Sequence, residues 1–375
     1  MKFVIATQEL NYLISKCFNA VPQKPTIPIL SNLLIEARNG ILKVTASDLI
    51  VGIQCFTEAN ILEEGATTLP ARRLSQLIRE LTAVNVELST DANDITEIVA
   101  DSSRFRLHGM NKDTFPGWPD LQDSIHFTVK QTDLKEALFR TAFAASRDDN
   151  RFVLTGVYMH IAGSQVTFAG TDGKRLARTY LASGLDASYT NSLVLPLKAV
   201  DEAVKNLGED GEATIYLMGD KIAFQTANAM IVTKLLTGDY PDINRVIPAN
   251  TETIVSLHRD ELITLLRQIS LFTAESNQAV RFTFSDGELR LMANTMDIGE
   301  GKVSMPANYQ GQKLEIAFNP NLFLDILRHS KGEVVSVSIT DPFNPGIITT
   351  QDPGHFTTAE ANPLFVLMPM RLNEE

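Results

Sequence analysis

The chain carries three copies of one pattern, and this repeat constrains its fold more than any other feature of the sequence. Three segments of alternating polar and apolar residues double back at Asn39-Gly40, at Gly163-Ser164 and at Asp286-Gly287. Residue pairs of this kind favour the tight turns of β-hairpins. The turns lie 124 and 123 residues apart. The sequence therefore predicts three similar units in tandem.

Each predicted unit contains two helices at the same relative positions. Apolar residues recur at i, i+3, i+4 and i+7 in six stretches, which is the pattern of a helix with one buried face. Pro70, Pro196 and Pro320 lie at or just inside the start of each second helix, where a missing N–H is tolerated. The six predicted helices cover residues 7–19, 70–81, 132–148, 196–207, 258–270 and 319–331.

The order of these elements predicts an α+β fold. A short alternating strand precedes the first helix of each unit, at residues 2–7, 126–131 and 253–257. With about eight short strands per unit, the single-faced helices must pack on antiparallel sheets to bury their apolar sides. The linkers carry an aromatic-proline signal at Phe115-Pro116 and Tyr240-Pro241. We therefore expect three domains, at residues 1–122, 123–250 and 251–375.

Several features limit the functional classes open to this chain. No run of 18 apolar residues is present, and the first residues lack the apolar core of a signal peptide. Cys17 and Cys55 fall in a helical and a strand pattern, where small buried thiols are common. These observations predict a cytoplasmic, reduced protein that makes no membrane contact.

The sequence offers no pattern of catalytic residues. The six histidines are scattered without the spacing of a metal site, and no nucleophile elbow is present. Residues 170–175 are similar to a phosphate-binding loop, but two residues separate their glycines where such a loop needs four. We therefore expect no catalytic residue, no metal and no other cofactor.

Charge is distributed unevenly along the chain. The net charge is −12, yet the six predicted helices carry 13 Lys and Arg against 10 Asp and Glu. Their densest basic patch comprises Arg72, Arg73 and Arg79, with Lys24 in the loop after the first helix. Two interpretations remain open. These are either ordinary solvated helix faces, or surfaces that contact phosphates loosely without reading base sequence.

Two stretches of the sequence have a composition suited to binding a peptide. The turn at residues 171–177, TDGKRLA, presents backbone amides, two cations and an apolar side chain on one loop. The carboxyl end, residues 365–372, is apolar and rich in Met, whose soft side chain adapts to different partners. This tail is either a binding surface or the last strand of a domain core, and its periodicity does not decide between them.

Taken in order, these motifs resemble the β subunit of bacterial DNA polymerase III, the sliding clamp family. The resemblance covers the whole chain and is carried by the tandem units, the TDGKRLA turn, Tyr240-Pro-Asp, Arg245-Val246 and the terminal Met368-Pro-Met-Arg-Leu372. It implies a head-to-tail homodimeric ring that encircles duplex DNA without sequence specificity and acts as a processivity factor. The implied partners are the α subunit of the replicative polymerase, the clamp loader and other proteins with clamp-binding peptides.

The resemblance also implies a peptide pocket between the second and third domains. Its apolar floor and polar rim would suit an extended peptide with two large apolar residues. Lys174 stands where the family often has His, and Leu322 where it often has an aromatic residue. The pocket residues carried over are Arg151, Leu154, Thr171, Gly173, Lys174, Arg175, Leu176, Pro241, Arg245, Val246, Asn319, Val366, Met368, Pro369, Met370 and Arg371.

A dimer seam and a DNA-facing surface follow from the same resemblance. Phosphates would be contacted by Lys24, Arg72, Arg73 and Lys198. The seam would join a first-domain strand of one protomer to the third domain of its partner. Its residues would be Arg104, Phe105, Leu107, Leu271, Phe272, Asp297 and Glu300. Two other classes remain open: a repeat scaffold that does not bind DNA, and an enzyme whose polar cluster is not evident.

Overall fold

The computed structural model of the chain describes residues 1–248, 253–275, 278–350 and 360–371. It contains two compact units. Unit 1 comprises Met1–Lys135 with Lys198–Leu235, and unit 2 comprises Glu136–Leu197 with Leu236–Glu375. The predicted boundary near residue 250 lies outside the described residues, and the domain boundaries stay a prediction.

The helices carry apolar residues on a buried face, as the periodicity predicts. Five of the six predicted helices are confirmed, with ends that differ from the prediction by no more than two residues. None of the helices in the described ranges is both long and apolar enough to cross a membrane. The helices are α1 (Thr7–Phe18), α2 (Ala71–Glu80), α3 (Gln131–Ala142), α4 (Leu197–Asn206), α5 (Arg259–Ser270) and α6 (Pro320–His329).

The third helix is the exception, because the prediction that it continues to residue 148 is wrong. The helix α3 ends at Ala142, and the Ala145 amide then turns back onto the Ala142 carbonyl at 3.2 Å. The Ser146 amide donates instead to the Leu154 carbonyl at 2.8 Å. The backbone has thus left the helix to form a short 3₁₀ segment, Asp149–Thr155. Buried alanines after the helix end keep the apolar pattern that misled the prediction.

Strands supply most of the remaining regular structure. All pairings between neighbouring strands are antiparallel in the described part of the chain. The strands are β1 (Lys2–Ala6), β2 (Asn32–Arg38), β3 (Ile41–Ser47), β4 (Val51–Glu58), β5 (Asn60–Glu63), β6 (Gly65–Pro70), β7 (Asn85–Thr90), β8 (Ile95–Ala100), β9 (Ser103–His108), β10 (Ile125–Lys130), β11 (Gly156–Ala162), β12 (Gln165–Thr171), β13 (Arg175–Ala182), β14 (Thr190–Pro196), β15 (Glu212–Met218), β16 (Lys221–Gln225), β17 (Ala229–Lys234), β18 (Thr253–His258), β19 (Val280–Ser285), β20 (Glu288–Thr295), β21 (Gly299–Pro306), β22 (Leu314–Phe318), β23 (Val334–Ile339), β24 (Gly346–Thr349) and β25 (Leu364–Leu367).

Each unit combines one eight-stranded sheet with a smaller sheet. In unit 1 the strand orders are β10-β15-β16-β17-β4-β3-β2-β6 and β5-β1-β7-β8-β9. In unit 2 they are β14-β11-β12-β13-β25-β24-β23-β18 and β21-β20-β19-β22. The pairs β17–β4 and β13–β25 join strands from different predicted domains inside one sheet. This continuity explains why a sequence with three repeats forms two compact units.

The three predicted hairpins are confirmed, and each uses a left-handed turn residue. β2 and β3 meet at Asn39 and Gly40, where φ is 52° and 75°. β11 and β12 turn at Gly163, with φ of 58°, and β19 and β20 turn at Gly287, with φ of 75°. Gly and Asn adopt this conformation at low cost. The turn chemistry of the sequence therefore sets the strand register in each copy of the repeat.

A large core cluster of unit 2 lies between the helices α5 and α6 and the strands around them. Phe282 of β19 stacks on Phe323 of α6, with ring centroids 5.5 Å apart and planes 13° from parallel. Phe318 meets Phe282 edge-on at 5.3 Å. Leu262 and Leu266 extend this cluster along α5. The two helices thereby bury the single apolar faces that the sequence pattern predicts.

Candidate functional site

The turn between β12 and β13 is held by its own side chains. The Asp172 carboxylate accepts hydrogen bonds from the amides of Lys174 at 2.9 Å and Arg175 at 3.0 Å. The Thr171 hydroxyl accepts from the Gly173 amide at 3.1 Å and donates to the Arg175 carbonyl at 2.6 Å. Gly173 has a φ of 83°, which a side chain would strain. Asp172 is thus a turn former, and the turn is ordered without a ligand.

Arg175 ties this turn to two helices. Its Nε donates to the Asp172 carboxylate at 3.1 Å, and its Nη1 donates to the Asp325 carboxylate on α6 at 2.8 Å. Its Nη2 donates to the carbonyl of Phe143, just beyond α3, at 2.9 Å. The guanidinium carbon lies 5.2 Å from the centre of the Phe143 ring. The guanidinium of Arg175 is planar and holds its N–H donors in a fixed geometry, so these hydrogen bonds position the turn.

An aromatic stack continues this network on α6. The His329 ring lies parallel to the Phe143 ring at a centroid distance of 4.0 Å, and the Phe139 ring lies 4.5 Å from it. The Nδ1–H of His329 donates to the Asp325 carbonyl at 2.7 Å. Burial lowers the pKa of His329, since it penalises the charged ring, and the cation of Arg175 adds to this effect. The neutral imidazole is the form that this packing favours.

Leu176 and Val366 lie together beneath the segment that follows Tyr240. They are directly opposite each other on β13 and β25, and they are 2% and 1% exposed. Ile243 and Ile247 pack against the same cluster. A charged residue at position 176 would therefore lose its solvation inside a core, and the fold would suffer along with any binding. Leu176 and Val366 support the site from below.

The exposed rim of the site carries apolar side chains that a ligand can reach. Val246 is 44% exposed, Met368 is 38% exposed and Phe152 is 55% exposed. Exposed large apolar side chains are available for burial against a ligand. Phe152 is absent from the residues that the sequence assigns to the pocket. Its position directly after Arg151, on the segment that also carries Leu154, is the signal that could have indicated it.

Arg151 crosses over the TDGKRLA turn. Its Nη1 donates to the Asp172 carbonyl at 3.3 Å. A Cβ atom on Gly173 would lie 2.5 Å from that nitrogen, so the end of the flexible Arg151 side chain would have to move. Glycine at this position is therefore favoured chiefly by its φ of 83°. The Arg151 side chain remains exposed at the surface of the site.

The carboxyl-terminal segment links the turn to the smaller sheet of unit 2. The Met368 amide donates to the Lys174 carbonyl at 2.9 Å, and the Met370 amide donates to the Ala317 carbonyl at 2.8 Å. The tail is thus a buried strand up to the end of β25 and a surface segment from Met368 to Arg371. Pro369 lies between the two anchored amides. Residues 372–375 lie outside the described part of the chain.

Asn319 and Arg245 lie at the margins of the site. The Asn319 side chain accepts amide hydrogen bonds from the first turn of α6 and donates to the Gln278 side chain at 3.2 Å. Asn319 therefore caps the helix. The Arg245 side chain is 84% exposed, and its Nε lies 3.5 Å from the Asp242 carboxylate. Arg245 and the neighbouring exposed Pro241 thus present polar and apolar surface to solvent.

The residues predicted to contact phosphates lie in unit 1 and have different surroundings. Arg72 and Arg73 on α2 are exposed, and they line a cavity of about 450 Å³ with the loop after α1. Lys24 is exposed on that loop. Lys198, in contrast, forms an ion pair with Asp48. No carboxylate of the described residues lies within 4.0 Å of the cationic groups of Lys24, Arg72 and Arg73, so these three carry uncompensated charge.

One part of the predicted dimer seam lies on an edge strand of unit 1. β9 is the last strand of the five-stranded sheet, among the residues that the structure describes. The side chains of Arg104 and Arg106 are 70% and 74% exposed, and both lie 3.6–3.8 Å from Glu97. Phe105 is 37% exposed, and Leu107 is half-buried. This edge is basic and carries unpaired backbone groups.

The other part of the predicted seam lies at an edge of the four-stranded sheet of unit 2. Glu300 is exposed at the start of β21, Asp297 is exposed in the turn before that strand, and Leu271 is 73% exposed. Phe272 differs from Leu271, because its ring packs against Gly301, where a Cβ would lie 2.7 Å from it. Fully exposed Met296 adds apolar surface that the sequence pattern did not single out. This edge is therefore both acidic and apolar.

Comparisons with known families cover nearly the whole chain. Three family profiles for the DNA polymerase III β subunit match in order: the N-terminal domain over residues 1–119, the central domain over residues 128–242 and the C-terminal domain over residues 244–364. The beta sliding clamp of Chlamydia pneumoniae is 48% identical over 375 residues, which is the full length of both chains. The beta sliding clamp of Synechocystis is 29% identical, over 99% of this chain and 100% of its own.

Solved structures of sliding clamps also match this chain over nearly its full length. The DNA polymerase sliding clamp of Bacillus subtilis superimposes with a TM-score of 0.92 at 25% identity, over the full length of both chains. A sliding clamp of Pseudomonas aeruginosa bound to griselimycin superimposes with a TM-score of 0.93 at 27% identity, over 99% of this chain and 100% of its own.

The buried imidazole on α6 makes the stability of unit 2 depend on pH. Because the pKa of His329 is lowered in the fold, its contribution is fully present above its ordinary pKa, about 6.5. That contribution is lost as the pH falls through the lowered value. From about pH 7.5 to about pH 5, urea unfolding followed by circular dichroism should show a smaller loss of stability in His329→Gln than in the wild type.

The matched control for this measurement is His258→Gln, at an exposed histidine of unit 2. The His258→Gln variant should lose as much stability over this pH range as the wild type does. An equal loss in His329→Gln and the wild type would contradict the prediction.

Proposed function

Because this chain belongs to the family of the bacterial DNA polymerase III β subunit, the sliding clamps, we propose that the site on unit 2 captures linear peptides of replication proteins. Three clamp domains and the function of a DNA polymerase processivity factor come with that membership. The proposed domains are residues 1–122, 123–250 and 251–375. The chain acts in the cytoplasm as a non-catalytic subunit.

The observation that carries this proposal is an exposed apolar rim beside an ordered turn. Val246, Met368 and Phe152 are each more than a third exposed, whereas the turn is fixed by Asp172 and Arg175. Two large apolar side chains of a peptide would bury themselves against this rim and contribute about 1.5–3 kcal/mol each. After the costs of association, this burial is enough for about micromolar affinity.

Polar contacts would then fix the direction of the peptide. The exposed Arg151 guanidinium and the Lys174 ammonium lie on the turn side of the rim, and the Arg245 guanidinium lies on the linker side. These cations suit peptide carbonyls and an acidic side chain or terminus. The Gly173 amide already donates to Thr171, so the side chains carry this role. The proposed occupants are peptides of the polymerase α subunit, the clamp loader and other clamp-binding proteins.

Pairing between the edge strands β9 and β21 of two protomers would close a ring. In a head-to-tail homodimer, β9 of one protomer would lie beside β21 of its partner, and both unpaired edges would be covered. Arg104 and Arg106 would face Asp297 and Glu300, so the charges of the two edges are complementary. Leu271 and Phe105 would supply apolar contact. Two chains of three domains close a ring of six.

DNA would pass through this ring without sequence-specific contacts to its bases. Lys24, Arg72 and Arg73 are exposed and form no ion pair with another described residue, whereas the charge of Lys198 is offset by Asp48. Cations of this kind bind the phosphate backbone in any sequence, and their contribution falls as salt rises. The three unpaired cations therefore contribute more to this contact than Lys198 does.

The pocket is tested by placing a charge on its exposed rim. Met368→Asp and Val246→Asp should each weaken binding of the pentapeptide Gln-Leu-Ser-Leu-Phe by at least about tenfold, since about 1.4 kcal/mol of apolar contact corresponds to that factor. Fluorescence polarisation with labelled peptide measures the affinity. Val334→Asp, at another exposed apolar residue of unit 2, is the control and should bind as the wild type does. Undiminished affinity in both rim variants would refute the pocket.

The ring is tested at Leu271, whose exposed side chain can be changed without opening the core. Sedimentation should show a wild-type dimer at micromolar concentration. Leu271→Lys removes apolar contact and adds a cation opposite Arg104 and Arg106, so the dissociation constant should rise by at least about tenfold. Val84→Lys, at an 80% exposed residue of unit 1, should remain dimeric. A wild-type protein that stays monomeric at every concentration would rule out the ring.

A further inference from the structure

A second groove lies on the β11–β12–β13 face of unit 2, mostly outside the residues assigned so far. Its volume is about 400 Å³, which is within the range of ligand sites. Side chains of three neighbouring strands and of the segment after β17 line it. They include Tyr158, His160, Thr167, Tyr180, Tyr240 and Asn244.

Flat rings form one wall of this groove. Tyr158 and Tyr240 are stacked, with centroids 4.7 Å apart and planes 10° from parallel. His160 continues the ladder, with its ring 6.0 Å from Tyr158 and 6° from parallel. The Ser192 hydroxyl lies 3.1 Å from the Tyr158 hydroxyl and 2.9 Å from Nδ1 of His160, so it fixes both rings. The ring surface is therefore set before a ligand arrives.

The groove and the proposed peptide pocket occupy the same face of the same strands. On β12, Thr167 lines the groove and Thr171 belongs to the pocket. Four residues along a strand span about 13 Å, at about 3.3 Å per residue. Pro241 belongs to both sets, and the segment from Tyr240 to Asn244 lines the groove directly before the pocket residues Arg245 and Val246. A peptide anchored in the pocket thus needs about four further extended residues to reach the groove.

We propose that this groove binds a proline-containing extended segment of the same partner protein, next to the motif held in the pocket. The inference rests on the proposed function, because the pocket holds the motif that brings the segment near. Proline-rich segments dock in grooves lined by aromatic rings, since their extended conformation is already formed and loses little entropy. The amide groups of Gln165 and Asn244 supply donors and acceptors for the peptide carbonyls and amides.

The charges of the groove favour a peptide over nucleic acid. Its one arginine, Arg178, is 8% exposed and donates to the Ala361 carbonyl at 3.1 Å, so its role is structural. The Asp242 carboxylate lies at the rim and would repel phosphates. Single-stranded nucleic acid needs a cationic groove as well as rings on which bases stack. The rings are present here without an excess of exposed cations.

The test compares five peptides on three proteins by fluorescence polarisation. One peptide is Gln-Leu-Ser-Leu-Phe alone. The other four carry Pro-Pro-Pro or Ala-Ala-Ala, joined to this motif through a Gly-Ser-Gly-Ser spacer at its amino end or at its carboxyl end. The proteins are the wild type, Thr167→Arg, which fills the groove, and Ser164→Arg. Ser164 is exposed on the adjoining hairpin turn and does not line the groove, so its variant controls for the added charge.

At one end of the motif, the peptide with the proline extension should bind the wild type with an affinity at least about fivefold higher than the peptide with the alanine extension at the same end. A gain of this size is expected for a second tethered contact. This ratio should fall to about one in Thr167→Arg and persist in Ser164→Arg. The plain pentapeptide should bind all three proteins equally.

Two results would overturn the inference while leaving the pocket intact: no gain from proline at either end, or a gain that survives in Thr167→Arg. A labelled single-stranded oligo-dT that binds the wild type and is lost in Thr167→Arg would also overturn it, in favour of nucleic acid. Failure of the plain pentapeptide to bind the wild type would instead reject the proposed function, and the inference with it.

Discussion

The pairing of β13 with β25 is the interaction on which the site depends. Four residue pairs, from Arg175 with Leu367 to Arg178 with Leu364, place the last strand of the chain beside the TDGKRLA turn. Leu176 and Val366 meet because of this register. Met368 emerges next to Lys174 for the same reason. A surface built from residues nearly two hundred positions apart thus exists before a partner binds, which lowers the entropy cost of binding.

Arg175 gives this surface its rigidity. A guanidinium that binds two carboxylates and a backbone carbonyl must keep all of them in place, because losing one partner leaves a buried charge unsatisfied. The turn, the end of α3 and the helix α6 are therefore fixed together. The apolar side chains at the rim are the variable part, since Val246, Met368 and Phe152 face solvent. Ordered polar support beneath exposed apolar side chains is an arrangement suited to several different peptides.

Local signals in the sequence predicted most of the fold. Periodicity located the helices, and Asn39-Gly40 and its counterparts located the hairpins, because both depend on neighbouring residues. The helix α3 was predicted too long, since buried alanines continue the apolar pattern after the backbone has changed direction at Ser146. Pairing between distant strands leaves no such local signal. The periodicity of the tail therefore could not show that it is a buried strand that becomes a surface segment.

The residues of the site also fall into two groups: those that local sequence signals indicate, and those that only the fold brings together. The turn at residues 171–177 could be singled out because turn chemistry is local, and the apolar tail at residues 365–372 was left with two interpretations. The other pocket residues came from the resemblance. The partners of Arg175 could not be found from spacing, because Asp325 lies 150 residues away. The groove around Tyr158 depends on a sheet face shared by three strands, which only the folded chain shows, whereas Phe152 could have been indicated by its position next to Arg151. The resemblance assigned Lys198 to the phosphate-contacting surface, but Asp48 offsets its charge.

The most direct measurement of the central claim follows the fate of protein loaded onto a nicked circular duplex. A topological ring, loaded by the clamp loader with ATP, should remain on the circle during gel filtration at a salt concentration that removes phosphate contacts. Cutting the circle once should release the protein as it slides off the ends. Retention on the cut DNA equal to retention on the circle, or loss from the intact circle as salt rises, would contradict a ring that holds DNA by enclosing it.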